Sequence, residues 1–143
     1  MKLSNINKHD VVVVKKGGAG WLNILEDYAR KRVTIARLGP HAGLVEIKHP
    51  DVQDGTNYTS DPKHLRKPRL KELEVGDHVY FPNGGEGGSG EPLSKDVVGL
   101  VGAIDGTGYP LRVDSPAIAD GFAWVRFADV RVTTRELTEE VEI

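Results

Sequence analysis

Apolar positions along the chain fall in short β-branched runs, separated by segments rich in glycine, proline and aspartate. Val33-Thr34-Ile35-Ala36 and Leu44-Val45-Glu46-Ile47 change side at nearly every residue, the alternation of half-buried strands. Val11 to Val14 is a continuous β-branched run, so both of its faces are expected to be buried. One stretch breaks the pattern. In WLNILEDYARKR, residues 21–32, Trp21, Leu22, Leu25 and Tyr28 recur at spacings of three and four, which predicts a short helix. Residues 82–91, PNGGEGGSGE, hold five glycines and are expected to be the least structured part, having little area to bury against backbone entropy.

The order of these features occurs twice. Asp10 and the run Val11 to Val14 overlay Asp77-His78-Val79-Tyr80-Phe81. The run from Arg32 to Leu38 overlays Val98 to Ile104, and Leu44 to Pro50 overlays Pro110 to Pro116. Each proline is followed by Asp-Gly (Asp54-Gly55, Asp120-Gly121), then an aromatic residue (Tyr58, Trp124), then a last apolar site (Leu65, Val130). The offset stays at 65–67 residues. Gly39-Pro40-His41-Ala42-Gly43 and Asp105-Gly106-Thr107-Gly108 are expected to supply the positive-φ positions of hairpin turns. Residues 62–73 read as a short, basic, proline-containing linker, and residues 133–143 (TTRELTEEVEI) as an acidic tail outside the repeat. The division expected is a basic unit at 1–70, an acidic unit at 71–132 and the tail at 133–143, with the two units in contact.

Charge sharpens this division. A net charge of −2 hides 13 Lys/Arg against 7 Asp/Glu in residues 1–70, and 6 against 14 in residues 71–143. Opposite halves of this kind point to a charged partner, or to a homo-oligomer built head to tail. With no cysteine in the chain, disulfides and thiolate metal sites are excluded. No apolar run approaches the roughly 20 residues that span a bilayer, and the first ten residues carry no apolar signal segment. A soluble, cytoplasmic protein is expected, with no membrane contact.

The series Gly76-Asp77-His78-Val79, Val98 to Ile104, Tyr109-Pro110-Leu111-Arg112-Val113 and Phe122-Ala123-Trp124-Val125 resembles a small SH3-like β-barrel of the KOW/SH3 type. Residues 9–67 carry a weaker version, with His9 in place of the glycine before the aspartate. The resemblance implies an all-β chain of two tandem SH3-like five-stranded barrels, at 9–67 and 74–132, with one short helix in the first. Such barrels bind peptides, RNA and other proteins, so the likeness implies a fold more than a function. The acidic, tyrosine-rich variable loop of a proline-peptide reader is missing.

Candidate chemistry is sparse. The five histidines, His9, His41, His49, His64 and His78, lack metal-ligand spacing. Neither glycine-rich loop is followed by the Lys-Ser/Thr of a phosphate site, and no nucleophile motif occurs. No enzyme, metal or cofactor is expected. Two binding surfaces remain. Phe122 and Trp124 share one strand face and, with Tyr109 and Arg126, form a candidate protein-binding site. Set against this, Trp124 reads more readily as the core plug of a barrel too small to fill otherwise. Lys15, Lys16, Arg30, Lys31, Arg32, Arg37, Lys63, Arg66, Lys67 and Arg69, interleaved with Trp21, Tyr28 and Tyr58, form a candidate nucleic-acid site. The reading favoured is a non-enzymatic adaptor, inhibitor or assembly protein with a protein partner, in the style of a phage-encoded or bacterial accessory protein. The alternative is an RNA- or DNA-associated module of the transcription or translation machinery.

Overall fold

A computed structural model describes residues 6–15, 31–38, 43–48, 58–90, 92–95 and 97–137. Among these the chain is all-β, and it divides into two compact units, Met1–Pro68 and Arg69–Ile143. The helix expected at 21–32 lies outside the described residues, apart from its last two positions. No helix among the described residues is long and apolar enough to cross a membrane.

In the first unit β1 (Val11–Val14), β2 (Arg32–Leu38), β3 (Val45–Lys48), β4 (Tyr58–Ser60) and β5 (Leu65–Arg66) form one antiparallel sheet, ordered β4-β3-β2-β1-β5. The second unit contains β6 (His78–Tyr80), β7 (Gly85–Glu86), β8 (Pro92–Leu93), β9 (Val98–Ile104), β10 (Leu111–Asp114), β11 (Phe122–Val125) and β12 (Arg131–Thr133). Its five-stranded sheet runs β11-β10-β9-β6-β12, and β7 pairs with β8 alone. Both large sheets thus follow the order fourth, third, second, first, fifth. Among the described residues neither closes by hydrogen bonds: β4 does not pair with β5, nor β11 with β12.

Alternation decides which side faces the core. Val12, Val14, Val33, Ile35, Val45, Ile47 and Leu65 pack with Ile6 on one face of the first sheet. In the second sheet Val79, Val101, Leu111, Val113, Ala123, Val125 and Val132 take the inner positions. Val11 and Val13 point to the opposite face yet are also buried, as the unbroken apolar run predicts. Each second strand bulges at one residue, Ala36 in β2 and Gly102 in β9, where the register against the third strand slips by one.

The entrance to each sheet is built from the same bonds. The Asp10 carboxylate accepts from Asn7 N at 2.9 Å, and the Asp77 carboxylate accepts from Glu74 N at 2.8 Å. His9 N donates to Ile35 O at 2.8 Å, and Gly76 N donates to Val101 O at 2.9 Å. This turn needs a left-handed residue before the aspartate. Gly76 takes φ 102° freely, whereas His9 is held at φ 73°.

Three segments differ from expectation. Residues 62–73 are not a plain linker: a 3₁₀ turn at Pro62–His64, strand β5 and a second 3₁₀ turn at Leu70–Glu72 occupy them. Asp61 caps the first turn by accepting from Lys63 N at 3.0 Å. The glycine-rich stretch expected at 82–91 is not without regular structure, because its residues Gly85–Glu86 form β7 and pair with β8; Glu91 lies outside the described residues. The tail does not begin at 133. Thr133 ends β12, and the Arg135 guanidinium sits 4.2 Å from the centre of the buried Tyr80 ring, with Arg135 O 2.9 Å from His78 Nδ1. The turn at 105–108 also differs, since neither Gly106 nor Gly108 has a positive φ.

Replacing Asp10 with alanine leaves the Asn7 amide without its carboxylate and should cost about 2 kcal/mol, the scale of a hydrogen bond to a charged group. His9→Gly should act oppositely, stabilising by up to about 1 kcal/mol through relief of the left-handed strain. Urea unfolding of both variants measures the two effects.

Candidate functional site

The turn after β9 positions the first side chain. Asp105 accepts from Thr107 N at 2.9 Å, and its carboxylate lies 2.8 Å from the Thr107 hydroxyl. Tyr109 N donates to that hydroxyl at 3.3 Å, and Asp105 N donates to Pro110 O at 2.8 Å. This Asx turn does the work that positive-φ glycines were expected to do, and it delivers the Tyr109 ring to the end of β10.

Arg126 follows the last residue of β11. Its guanidinium donates to the Tyr109 hydroxyl at 3.2 Å, and its Cζ lies 5.3 Å from the ring centre, within cation–π range. The phenol hydrogen bond, with the charges of Asp129 and Glu86 behind it, raises the guanidinium's affinity for its proton above the ordinary arginine value. Arg126 is exposed, so this contact orients the side chain more than it stabilises the fold.

The glycine-rich hairpin completes the surface. Gly88 N donates to Trp124 O at 2.8 Å. A methyl group on Gly88 would stand 3.3 Å from Tyr109 Cγ, so the loop backbone lies directly on the ring. Composition alone suggested that nothing would hold this loop. What holds it is supplied from far along the chain, by Tyr109 and the β11 carbonyl.

Strand β11 supplies the aromatic pair. Ala123 and Val125 enter the core, Trp124 is half-buried on the other side, and Phe122 is 45% exposed. Trp124 is therefore not the core plug. Gly121 O accepts from Ser115 N at 2.9 Å, so Gly121, Ala123 and Val125 turn their backbone groups toward β10. Phe122 and Trp124 turn theirs outward. The Trp124 carbonyl is taken by Gly88. The Trp124 N–H and both backbone groups of Phe122 remain at the sheet edge, with no hydrogen-bond partner among the described residues.

All four residues of the candidate protein site thus lie at or beside one edge strand. The hairpin around Gly88 was missed, because no local pattern in its sequence reports its distant contacts.

The basic candidates separate. Lys16 and Arg30 lie outside the described residues. Arg32 and Arg66 both stand opposite Val13 in register, on the outer face of the first sheet. Lys15 follows on the same side by alternation. Arg37 also reaches that face and pairs with Glu46 at 3.0 Å. Lys31 is exposed just before β2, Lys63 is exposed in the 3₁₀ turn, and Lys67 is half-buried with its carbonyl accepting from Arg66 at 3.3 Å. Arg69 opens the second unit, its backbone N donating to Glu72 at 2.8 Å. Lys48 was overlooked, although the alternation Val45-Glu46-Ile47-Lys48 puts it beside Thr34 on the same outer face.

Among the described residues no three His, Asp or Glu side chains converge on one point that would hold a metal ion. No family model matches the chain, and no curated protein matches it significantly in sequence.

Gly88→Val should push the hairpin off Tyr109 and cost about 1–3 kcal/mol of local stability, the usual scale of overpacking. Amide hydrogen exchange at position 88 reports the loss of its bond to Trp124 O, and exchange in β6 should stay unchanged.

Proposed function

We propose that the chain is a non-enzymatic protein-binding module whose second unit takes up an extended segment of a partner protein along β11. The observation that carries this reading is the edge itself. Phe122 offers an N–H and a C=O, and Trp124 an N–H, to a strand laid beside them. Main-chain pairing of that kind supplies affinity, and side chains flanking the edge supply selectivity. Exposed Phe122, half-buried Trp124 and the Tyr109–Arg126 pair are the flanking groups, with aromatic and arginine anchors of the type that dominate interface energies.

The same reading extends to the architecture. We infer that each five-stranded sheet is a bent, SH3-like barrel and that the chain arose by duplication. Support comes from the shared strand order, the matching Asp10 and Asp77 turns, and the 3₁₀ turns at Pro62–His64 and Phe127–Asp129 before each last strand. The lack of cysteine fits work in the cytoplasm, as an adaptor, inhibitor or assembly factor.

Selection from a random peptide library tests the site. Peptides that bind should slow hydrogen exchange at the Phe122 and Trp124 amides. Phe122→Lys should weaken them at least about tenfold, because a lysine on an edge strand opposes pairing. Its folding stability should stay within about 0.5 kcal/mol of the parent, since the ring is largely exposed. Ligands that leave both amides unprotected, or that bind Phe122→Lys equally well, would remove the proposal.

A further inference from the structure

The charges around the β11 edge bear on what can dock there. A strand paired with Phe122 places the residue opposite it on the same outer face, beside a ring that is 45% exposed. The neighbour of Phe122 on β10 is Asp114. Its carboxylate is already engaged: Arg112 donates to it through Nε at 3.0 Å and through Nη2 at 3.3 Å. The pair lies over Gly102, where a methyl group would collide with the Asp114 carboxylate. At the other end of the strand Arg126 donates to the Tyr109 hydroxyl and lies in the field of Asp129 and Glu86. Both arginines flanking the edge are thus occupied. Arg112 and Arg126 stand against Glu86, Asp114, Asp120 and Asp129, so the surroundings of the edge are net negative.

Asp120 differs from the other carboxylates. It is exposed, and among the described residues no hydrogen bond or ion pair reaches its side chain. It stands two residues before Phe122, at the uncovered end of the edge. Its backbone is left-handed, at φ 67° and ψ 3°, and Gly121 follows at φ 83°. Gly121 N donates to Ile118 O at 2.9 Å, and Phe122 then returns to extended values. A glycine would take the conformation of Asp120 without strain. The aspartate instead sets an unengaged negative charge beside the first open backbone groups of β11. Resting on the reading of β11 as a docking edge, we propose that the segment it takes up is basic. An apolar residue of the partner pairs with Phe122, and a lysine or arginine two positions along meets Asp120. The sign agrees with residues 71–143 as a whole, where 6 Lys/Arg stand against 14 Asp/Glu, a balance that steers cationic segments toward this unit.

Blocked peptides of about six residues, the usual length of a strand, test the assignment. Each alternates valine and threonine around a central phenylalanine, with lysine, glutamine or glutamate two positions to either side of it. The amide resonances of Phe122 and Trp124 follow each titration. The lysine series should bind about tenfold tighter than the glutamate series at about 50 mM salt, and the gap should close at about 500 mM, where exposed pairs are screened. Asp120→Asn keeps a side chain that tolerates the left-handed backbone. It should weaken the lysine series about threefold, the scale of an exposed ion pair, and leave the glutamine series unchanged. Glu74→Gln removes an exposed carboxylate at the entrance to β6, three strands from β11, and should alter neither series. Thermal melting checks that each variant is folded. Perturbed amides with equal affinity for the three series, or a lysine series indifferent to Asp120→Asn, would overturn the proposal and leave the docking edge standing. Amides unmoved by every peptide would remove the edge itself, and the basic segment with it. Perturbation that grows with protein concentration in the absence of peptide would name a second copy of the chain as the occupant, and would equally overturn the proposal.

Discussion

Each sheet hangs on the placement of its first strand. β1 is gripped on one side by β2 and on the other by β5, and β6 likewise by β9 and β12. A slip of one residue in such a strand would exchange its faces and move Val12 and Val14, or Val79, out of the core. The aspartate turn prevents the slip. Asp10 or Asp77 ties the chain just ahead of the strand through its carboxylate. Its own carbonyl accepts from the second strand, from Ile35 N or Val101 N at 2.8 Å. Side chain and main chain of one residue therefore fix the entry point and the first inter-strand register together. Everything that follows along the sheet inherits that register.

Once the register is fixed, the outer rows can diverge without cost to the core. The central row of the first sheet reads Arg32, Val13, Arg66. The row in the same place in the second sheet reads Val98, Tyr80, Arg131. Val98 and Tyr80 are buried, and the Arg135 guanidinium lies over the tyrosine ring. The first row carries two half-buried arginines beside its valine. The other carries one, Arg131, and its tyrosine lies under the guanidinium of the chain that follows β12. Inner residues stay interchangeable aliphatics in both sheets, because the core constrains volume and apolarity and little else. The charge contrast between the two halves of the sequence is thereby turned into a contrast between two surfaces.

The sequence was legible where the information is local. Alternation in Val45-Glu46-Ile47-Lys48 and Phe122-Ala123-Trp124-Val125 reports facing directly, and both strands obey it. The β-branched run at Val11–Val14 announced burial on both sides. What failed was whatever depends on a distant partner. Glycines at 84–90 look unstructured until the Tyr109 ring and Trp124 O are placed beneath Gly88. Thr133 and Arg135 look like the start of an acidic tail until Tyr80 and His78 are found under them. The turn at 105–108 was misread for a different reason. Its glycines suggested positive φ, but the Asp105 carboxylate and Thr107 hydroxyl close it by side-chain hydrogen bonds, which leave ordinary φ values in place.

The β11 edge is partly protected, and the manner of protection bears on its use. An exposed edge strand invites indiscriminate pairing, and proteins blunt it by shortening it, charging it or covering it. Here the covering is incomplete. Gly88 takes the Trp124 carbonyl, so the hairpin occupies the far end of the edge, and Arg126 stands beyond it. The near end, at Phe122, is left uncovered. A long strand cannot slide along the whole edge, because the hairpin blocks its path. On the proposed reading, a segment pairing at Phe122 stops at the hairpin. On that reading the hairpin sets the length of what docks, and it can lie so close to the Tyr109 ring because residue 88 has no side chain.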